Sequence, residues 1–389
     1  MRLLALLLCG LLLAGCASEP AFAPETTLPA VETSAAPETT VPETTPPETE
    51  AADPLRQMIA DMSLEQRVGQ LFLARCNRET AVSDVEQYHL GGLVLFSEDF
   101  ENQTPDSLRQ TLSGYQLAAE TPLLLAVDEE GGDVTRISRY SAFRDHRFSS
   151  LRARYDRGGL AEVLAEEEEK CRLLSDLGLI VNLGPVCDIA TDPYAFLYSR
   201  SLGRDAETTA GVVASTVDLM NTFSIGSVLK HFPGYGNNSD THTGIARDSR
   251  TLAELESCDL IPFAAGIQAG CGAVMVGHVI MEALDGSLPA SLSPAVHAYL
   301  RENMGYDGVI MTDDLVMQAI TDQYGAGEAA VMAVLAGNDL LCSTEYTIQY
   351  EAVLQAVLDG RIDIDTLNAA VRRVLQWKSD LGLLNISYG

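Results

Sequence analysis

Basic residues are scarce in this chain. Its 389 residues include 25 Lys and Arg against 55 Asp and Glu, a formal charge of −30. Such an acidic surface repels phosphate backbones, which argues against nucleic acid as a partner. Aromatic residues are also few, at 6%, and Trp377 is the one tryptophan. That is unlike a carbohydrate-binding module built on exposed aromatic platforms, but it leaves a sugar site open. No glycine-rich dinucleotide fingerprint follows the first strand-like run, and no Cys or His spacing suggests zinc. The N-terminal apolar run, Leu3–Leu13, is too short to cross a bilayer as a mature helix. No internal repeat and no second domain boundary are visible after Asp53.

What is present begins with a short targeting segment, residues 1–15. Arg2 supplies a positive start, an apolar stretch follows, and the segment ends Leu13-Ala14-Gly15-Cys16. This ending resembles a bacterial lipobox. The resemblance implies cleavage before Cys16, lipidation of its thiol, and an extracytoplasmic protein held to the membrane by acyl chains rather than by a helix. Residues 16–52 continue as a linker of Pro, Thr, Glu and Ala without Lys or Arg. Such a composition cannot bury enough apolar surface to offset its ordering entropy, so an extended stalk is expected. Of the remaining cysteines, Cys76, Cys171, Cys187, Cys258, Cys271 and Cys342, most lie in apolar contexts, and buried free thiols are expected.

From Asp53 to Gly389 the chain alternates strand-like and helix-like stretches. The strand candidates are Leu71–Ala74, Gly92–Phe96, Leu123–Val127, Leu179–Leu183, Ser227–Leu229, Ala273–Val276, Gly308–Met311 and Asp339–Cys342. Amphipathic runs separate them, among them Leu160–Leu177 and Leu252–Ala269, and Leu367–Lys378 closes the series. Continuous apolar strands between helices argue for a parallel sheet. Eight such units predict an α/β fold, a single-domain (β/α)8 TIM-type barrel over residues 53–389.

The chain is organised around Gly226–His242, GSVLKHFPGYGNNSDTH. An apolar run reads as a strand stopping at Lys230 and His231, and Phe232 to Gly236 read as a loop. That loop carries Asp240 and His242. A carboxylate beside an imidazole raises its pKa and fixes its tautomer, which suits a general acid/base on a glycine-containing, movable loop. Other ionisable groups also follow strand-like runs: Asp128, Asp188, His278, and the pair Asp313 and Asp314. In a parallel barrel these ends share the face where active sites are built. Each alone reads more readily as a cap or turn residue; their convergence on one rim is the signal. A carboxylate on a rigid strand end, Asp313, suits a nucleophile. Asp314 must then point elsewhere, because two converging carboxylates raise a pKa.

These residues carry a family resemblance. Asp128-Glu129-Glu130-Gly131-Gly132, Arg200-Ser201-Leu202-Gly203, Lys230 to Gly236 followed by Asp240-x-His242, and Thr312-Asp313-Asp314-Leu315 resemble motifs of the single-domain β-N-acetylglucosaminidases of glycoside hydrolase family 3, the NagZ-like group. The resemblance runs from about Leu55 to Trp377. It implies a retaining, exo-acting hydrolase of terminal β-linked GlcNAc, acting on peptidoglycan or chitin-type fragments without metal or cofactor. Asp313 would be the nucleophile, and His242, held by Asp240, the acid/base. Asp128, Arg200, Lys230 and His231 would bind the sugar, and a monomer is expected.

Three departures accompany the resemblance. Asp133 stands where the family commonly has Arg, Tyr235 where it usually has His, and the loop between Gly236 and Asp240 is one residue shorter. A β-glucosidase of the same family and a non-catalytic sugar-binding lipoprotein are the alternative readings. A metallohydrolase using Asp313, Asp314, Asp240 and His242 as ligands is a third.

Overall fold

The computed structural model describes residues 53–386. The targeting segment, Cys16 and the linker lie outside the described residues. Eight parallel strands form the sheet: β1 Phe72–Arg75, β2 Gly92–Leu95, β3 Leu124–Val127, β4 Val181–Asn182, β5 Gly226–Phe232, β6 Ala273–Val276, β7 Val309–Thr312 and β8 Leu341–Ser343. Each pairs with the next in sequence up to β7, and β8 returns to β1, with Phe72 opposite Leu341. A parallel bridge between Met311 and Leu340 joins the last two strands, so the ring closes. All eight expected strands are present in the expected order, and the fold is a (β/α)8 barrel.

The strands read as unbroken apolar runs because both faces are covered. Along β2 and β3 every residue is buried. Leu73, Val94, Leu124, Ala126, Val228, Met275 and Met311 pack inside the barrel. Their neighbours Phe72, Ala74, Leu93, Leu95, Leu125 and Val127 pack outward against the helices. The alternation is the period of two expected of strands. Each buried Leu or Val contributes about 1.5–3 kcal/mol.

The final helix, Ile364–Asp380, seals the foot of the barrel. Asp363 caps it by accepting from the Thr366 N–H at 2.8 Å. Trp377 belongs to the cluster inside the barrel. A Cβ at Gly272 would lie 1.9 Å from Trp377 Nε1, and one at Gly226 would lie 2.8 Å from its Cζ2. Both strand feet are glycine because the indole occupies the space a side chain would need.

Several expectations are corrected in detail. The fifth strand does not stop at Leu229; it runs to Phe232, with a register shift between Leu229 and Phe232 against β6. Lys230 and His231 are therefore inside the strand, and both are buried. The run Leu252–Ala269 is two helices, Leu252–Glu256 and Leu260–Gln268. The run Leu160–Leu177 begins earlier, at Leu151, and kinks at Gly158 and Gly159. Helices not expected from the sequence are Pro54–Asp61 and Ala81–Tyr88, with the single turns Ser97–Phe100 and Gln318–Thr321. A small parallel pair, Arg247–Asp248 with Ile280–Met281, lies outside the barrel sheet. Cys76, Cys171, Cys187, Cys271 and Cys342 are buried free thiols; Cys258 is free and half-buried.

Candidate active site

The C-terminal ends of the strands surround a cavity of about 560 Å³. Asp128, Arg200, Lys230, His231, His242 and Asp313 all stand on its wall. Asp240 stands back from the cavity, behind His242, and Asp188 and His278, also expected at this rim, are buried behind its wall. A cleft of about 590 Å³ opens near Trp377, at the foot of the barrel. Arg372 and Arg373 on its wall are paired with Asp53 and Asp339, and it contains no histidine. The chemistry selects the first cavity.

Asp313 follows β7, and its N–H donates to Val276 O at 3.0 Å. Its carboxylate accepts from the Asp314 N–H at 2.8 Å. Enclosure pushes the Asp313 carboxyl up, but His231, His278 and that N–H outweigh it and hold it below its usual value. Asp314 turns away, accepting from Thr344 Oγ1 at 2.5 Å and from the Thr344 N–H at 3.2 Å. Burial leaves its carboxyl above the ordinary range. The two adjacent carboxyls thus point to different partners and are shifted in opposite directions. His278 lies beneath this corner, fully buried, with Nε2 donating to Asp314 O at 3.0 Å and Nδ1 facing Ser291 Oγ at 2.7 Å. Burial holds its imidazole below the usual value.

Lys230, on β5, reaches the carboxylates that follow β3. Its Nζ is 2.6 Å from Asp128 Oδ1 and 2.6 Å from Glu130 Oε1. Glu130 also accepts two bonds from Arg200, at 2.9 and 2.5 Å, a fork-on-carboxylate pair. Burial opposes every one of these charges, and the pairing wins: Glu130 is held far below its usual value, and Lys230 and Arg200 are held above theirs. The sequence reading did not single out Glu130. It lies in the Asp128–Gly132 motif, but nothing local separates it from Glu129. Glu129 is spent on backbone, accepting from the Arg136 and Ile137 N–H groups at 2.7 Å each.

His231 is fixed from behind. Asp188, fully buried, accepts from its Nδ1 at 2.8 Å and from its N–H at 2.9 Å. Arg200 Nη2 lies 3.3 Å from His231 Nε2. Carboxylate on one side and guanidinium on the other put the ring proton on Nδ1.

His242 stands on a 3₁₀ turn, Thr241–Thr243, whose cap is Asp240. Asp240 Oδ1 accepts from His242 Nδ1 at 2.7 Å, which leaves Nε2 for the cavity. The preceding loop is tied down rather than free. Asn238 donates to Asp248 at 2.8 Å, and the Tyr235 N–H donates to Asp188 at 2.7 Å. Gly234 adopts φ +121°, and a Cβ there would lie 2.5 Å from Asp259 Cβ. This loop glycine thus serves a turn and a close approach.

At the rim, Phe96 carries the guanidinium of Arg75 at 4.1 Å and that of Arg136 at 5.3 Å from its ring centre. Arg75 is paired with Glu98, and Arg136 lies 3.7 Å from Asp128. Asp133 also lines the cavity, exposed and without an ion-pair partner among the described residues. No group of three or more His, Cys, Asp or Glu among the described residues is arranged to hold a metal ion. Asp314 and Asp240 are committed to Thr344 and His242, so the four residues of the metallohydrolase reading do not converge.

A barrel with this rim is the architecture of a glycosidase, and the comparisons agree. The glycosyl hydrolase family 3 N-terminal domain matches residues 63–377. The chain belongs to glycosyl hydrolase family 3. It is 30% identical over 305 residues to the β-hexosaminidase LpqI of Mycobacterium tuberculosis, covering 76% of this chain and 77% of that protein. It is 33% identical over 298 residues to a β-hexosaminidase of Xanthomonas campestris, covering 75% and 87%. A solved family 3 β-N-acetylglucosaminidase from Paenibacillus superimposes with a TM-score of 0.77 at 31% identity, covering 84% of this chain; this chain spans 65% of that one. The solved structure of LpqI from M. tuberculosis gives a TM-score of 0.77 at 28% identity, covering 84% and 97%.

Proposed function

We propose that the chain is an exo-acting, retaining β-N-acetylglucosaminidase that removes terminal β-linked GlcNAc from peptidoglycan or chitin-type fragments. The observation that carries this is the meeting of Asp313 and His242 on one cavity, with Asp240 fixing the imidazole. Asp313, held as the anion, attacks the anomeric carbon. The bond from that carbon to the leaving oxygen breaks as His242 delivers its Nε2 proton to that oxygen. Water then attacks the glycosyl-aspartate, gives its proton back to His242 and frees Asp313. Asp128, Arg200, Lys230 and His231 bind the hydroxyls of the sugar, and Glu130 holds the two cations in place. The cavity ends on Val94, Leu183 and Met275, top residues of the barrel interior. A blind floor favours a chain end over the middle of a glycan. The β-hexosaminidase relatives support the choice of sugar.

The reading extends to location. Cleavage before Cys16 and its lipidation would anchor the enzyme outside the cytoplasmic membrane, with residues 16–52 as the stalk and the barrel acting as a monomer. A mass of the membrane-extracted protein lacking residues 1–15 and carrying acyl chains on Cys16 is expected; an unmodified thiol would remove the anchor.

The test of the activity is a panel of aryl glycosides combined with trapping by a fluorinated GlcNAc glycoside. Turnover of the β-GlcNAc glycoside, with the label on Asp313, is expected. Faster turnover of the glucoside would favour a β-glucosidase. Binding of GlcNAc without turnover of any glycoside would favour a sugar-binding protein.

A further inference from the structure

His242 presents a mechanical problem. Its side chain is 58% exposed, on a turn outside the barrel wall. Asp240 fixes the ring to the turn, but Asp240 is part of the same turn. Something else must fix the turn to the barrel.

The base of the loop is well anchored. The Gly234 N–H donates to His231 O at 2.9 Å, and the Tyr235 N–H donates to Asp188 Oδ1 at 2.7 Å. Asn237 Oδ1 accepts from the Thr191 and Asp192 N–H groups at 2.9 and 3.0 Å. One side chain then reaches from this base to the tip. The Tyr235 hydroxyl accepts from the Thr241 N–H at 2.8 Å and lies 2.5 Å from Thr241 Oγ1. Tyr235 is 2% exposed and Thr241 fully buried, so water cannot replace either bond. The ring is itself held, 5.8 Å from both the His231 and the Phe196 rings. Phe196 in turn lies 5.8 Å from the His242 ring. The Asp188 carboxylate that orients His231 at the cavity wall is therefore also the root of the strut that ends beside His242. Burial pushes the phenol well up, so the hydroxyl keeps its proton and its geometry at any working pH.

We propose that Tyr235 is a positioning residue for the acid/base, its hydroxyl setting His242 against Asp313 by holding Thr241. The proposal rests on the functional reading above. Tyr235 does not line the cavity. Its effect passes through the placement of Nε2, which bears on kcat/KM, the measure of glycosyl-enzyme formation, only when the leaving group needs a proton.

The test compares two substrates in the full chain. Tyr235→Phe keeps the ring and removes the hydroxyl. For chitobiose, whose leaving group is poor, kcat/KM should fall by about tenfold to a hundredfold, the range a small misplacement costs. For the 2,4-dinitrophenyl β-GlcNAc glycoside, which leaves unaided, the fall should stay within about threefold. Thr241→Val should shift the same ratio in the same direction, and Thr241→Ser should restore it. Equal losses on both substrates, or none, would overturn the proposal. A readout independent of turnover is the exchange rate of the Thr241 amide hydrogen. It should be protected in the wild type and exposed in Tyr235→Phe; a fast-exchanging Thr241 amide in the wild type would remove the strut. Wild-type inactivity on every GlcNAc glycoside would fall on the functional reading, and the amide would still decide the strut.

Discussion

One oxygen of Asp240 accepts twice from His242, from the backbone N–H at 2.8 Å and from Nδ1 at 2.7 Å. The backbone bond makes the turn, and the side-chain bond aims the ring. The two-residue spacing is what allows a single carboxylate to do both. It also sets the carboxylate against Nδ1, so that Nε2 is the ring atom presented to the cavity.

Removing that anion should weaken acid catalysis without abolishing it. A hydrogen bond to a charged group contributes about 1.5–3 kcal/mol, which is roughly ten- to a hundredfold in rate. Asp240→Asn should lose about that much kcat/KM on chitobiose. His242→Ala should lose about 10²- to 10⁴-fold. Both should lose far less on a dinitrophenyl glycoside. Steady-state kinetics on the two substrates check this, and an equal loss on both would contradict the acid role.

Glu130 answers two buried cations, and its loss should be felt in stability as well as activity. Glu130→Gln leaves Arg200 without its carboxylate and Lys230 with Asp128 alone. Breaking such a buried pair costs about 3–5 kcal/mol. The pH dependence has a definite sign. The folded Glu130 is held below its unfolded value, so its contribution is full above the ordinary carboxylate range and fades as the pH falls through it. Urea unfolding should show a large gap between wild type and variant at pH 7 and a narrower one below pH 4.

Lys378 works in the opposite direction. It is fully buried, with Nζ donating to Gln70 Oε1 at 2.6 Å, and burial pushes its amine down to about 7. The unfolded lysine holds its proton up to about pH 10.4. Between these values the unfolded chain binds more protons than the folded one, so this residue's penalty is largest below pH 7 and fades toward pH 10. Lys378→Met should therefore be stabilised relative to wild type most at pH 6.5 and least at pH 9.5. Paired denaturation curves at the two pH values test it; a gap that widens with pH would refute it.

Asp133 bears on substrate charge. Arg75, Arg136, Arg200 and Lys230 on the cavity wall each face a carboxylate, whereas Asp133 has no ion-pair partner among the described residues. An anionic substituent beside the scissile bond should meet repulsion of about 1 kcal/mol at contact range in water. Asp133→Asn should raise kcat/KM for a substrate bearing a carboxylate on the leaving sugar by about fivefold. The gain should exceed any on chitobiose and shrink in high salt. An unchanged ratio between the charged and neutral substrates would dismiss the effect.

The barrel was readable because parallel strands covered on both faces leave unbroken apolar runs, as in Gly92–Leu95 and Leu124–Val127. Two short helices, Pro54–Asp61 and Ala81–Tyr88, left no comparable signal, since each buries only two apolar residues over barely two turns. The end of β5 was misread for a different reason. Lys230 and His231 look like strand terminators, yet they are buried because Asp128, Glu130 and Asp188 meet them from distant parts of the chain. The same holds for the carboxylate pairs. Sequence reasoning requires that one of Asp313 and Asp314 turn away, but the partners that receive Asp314, Glu129 and Glu130, namely Thr344, the Arg136 N–H and Arg200, come from elsewhere in the chain. Motif spacing pointed to Asp128, Arg200, Lys230, His231, His242 and Asp313, and the fold gathers them on one cavity; the partners that hold each of them are a three-dimensional fact.

At the other end of the barrel, Gly272 and Trp377 share one small volume that neither could occupy with a side chain on the other. The two positions can be inherited only as a matched set. A lineage that keeps the indole must keep the hydrogen opposite it, and a single nucleotide change that gives Gly272 a methyl group must wait for a smaller residue at 377.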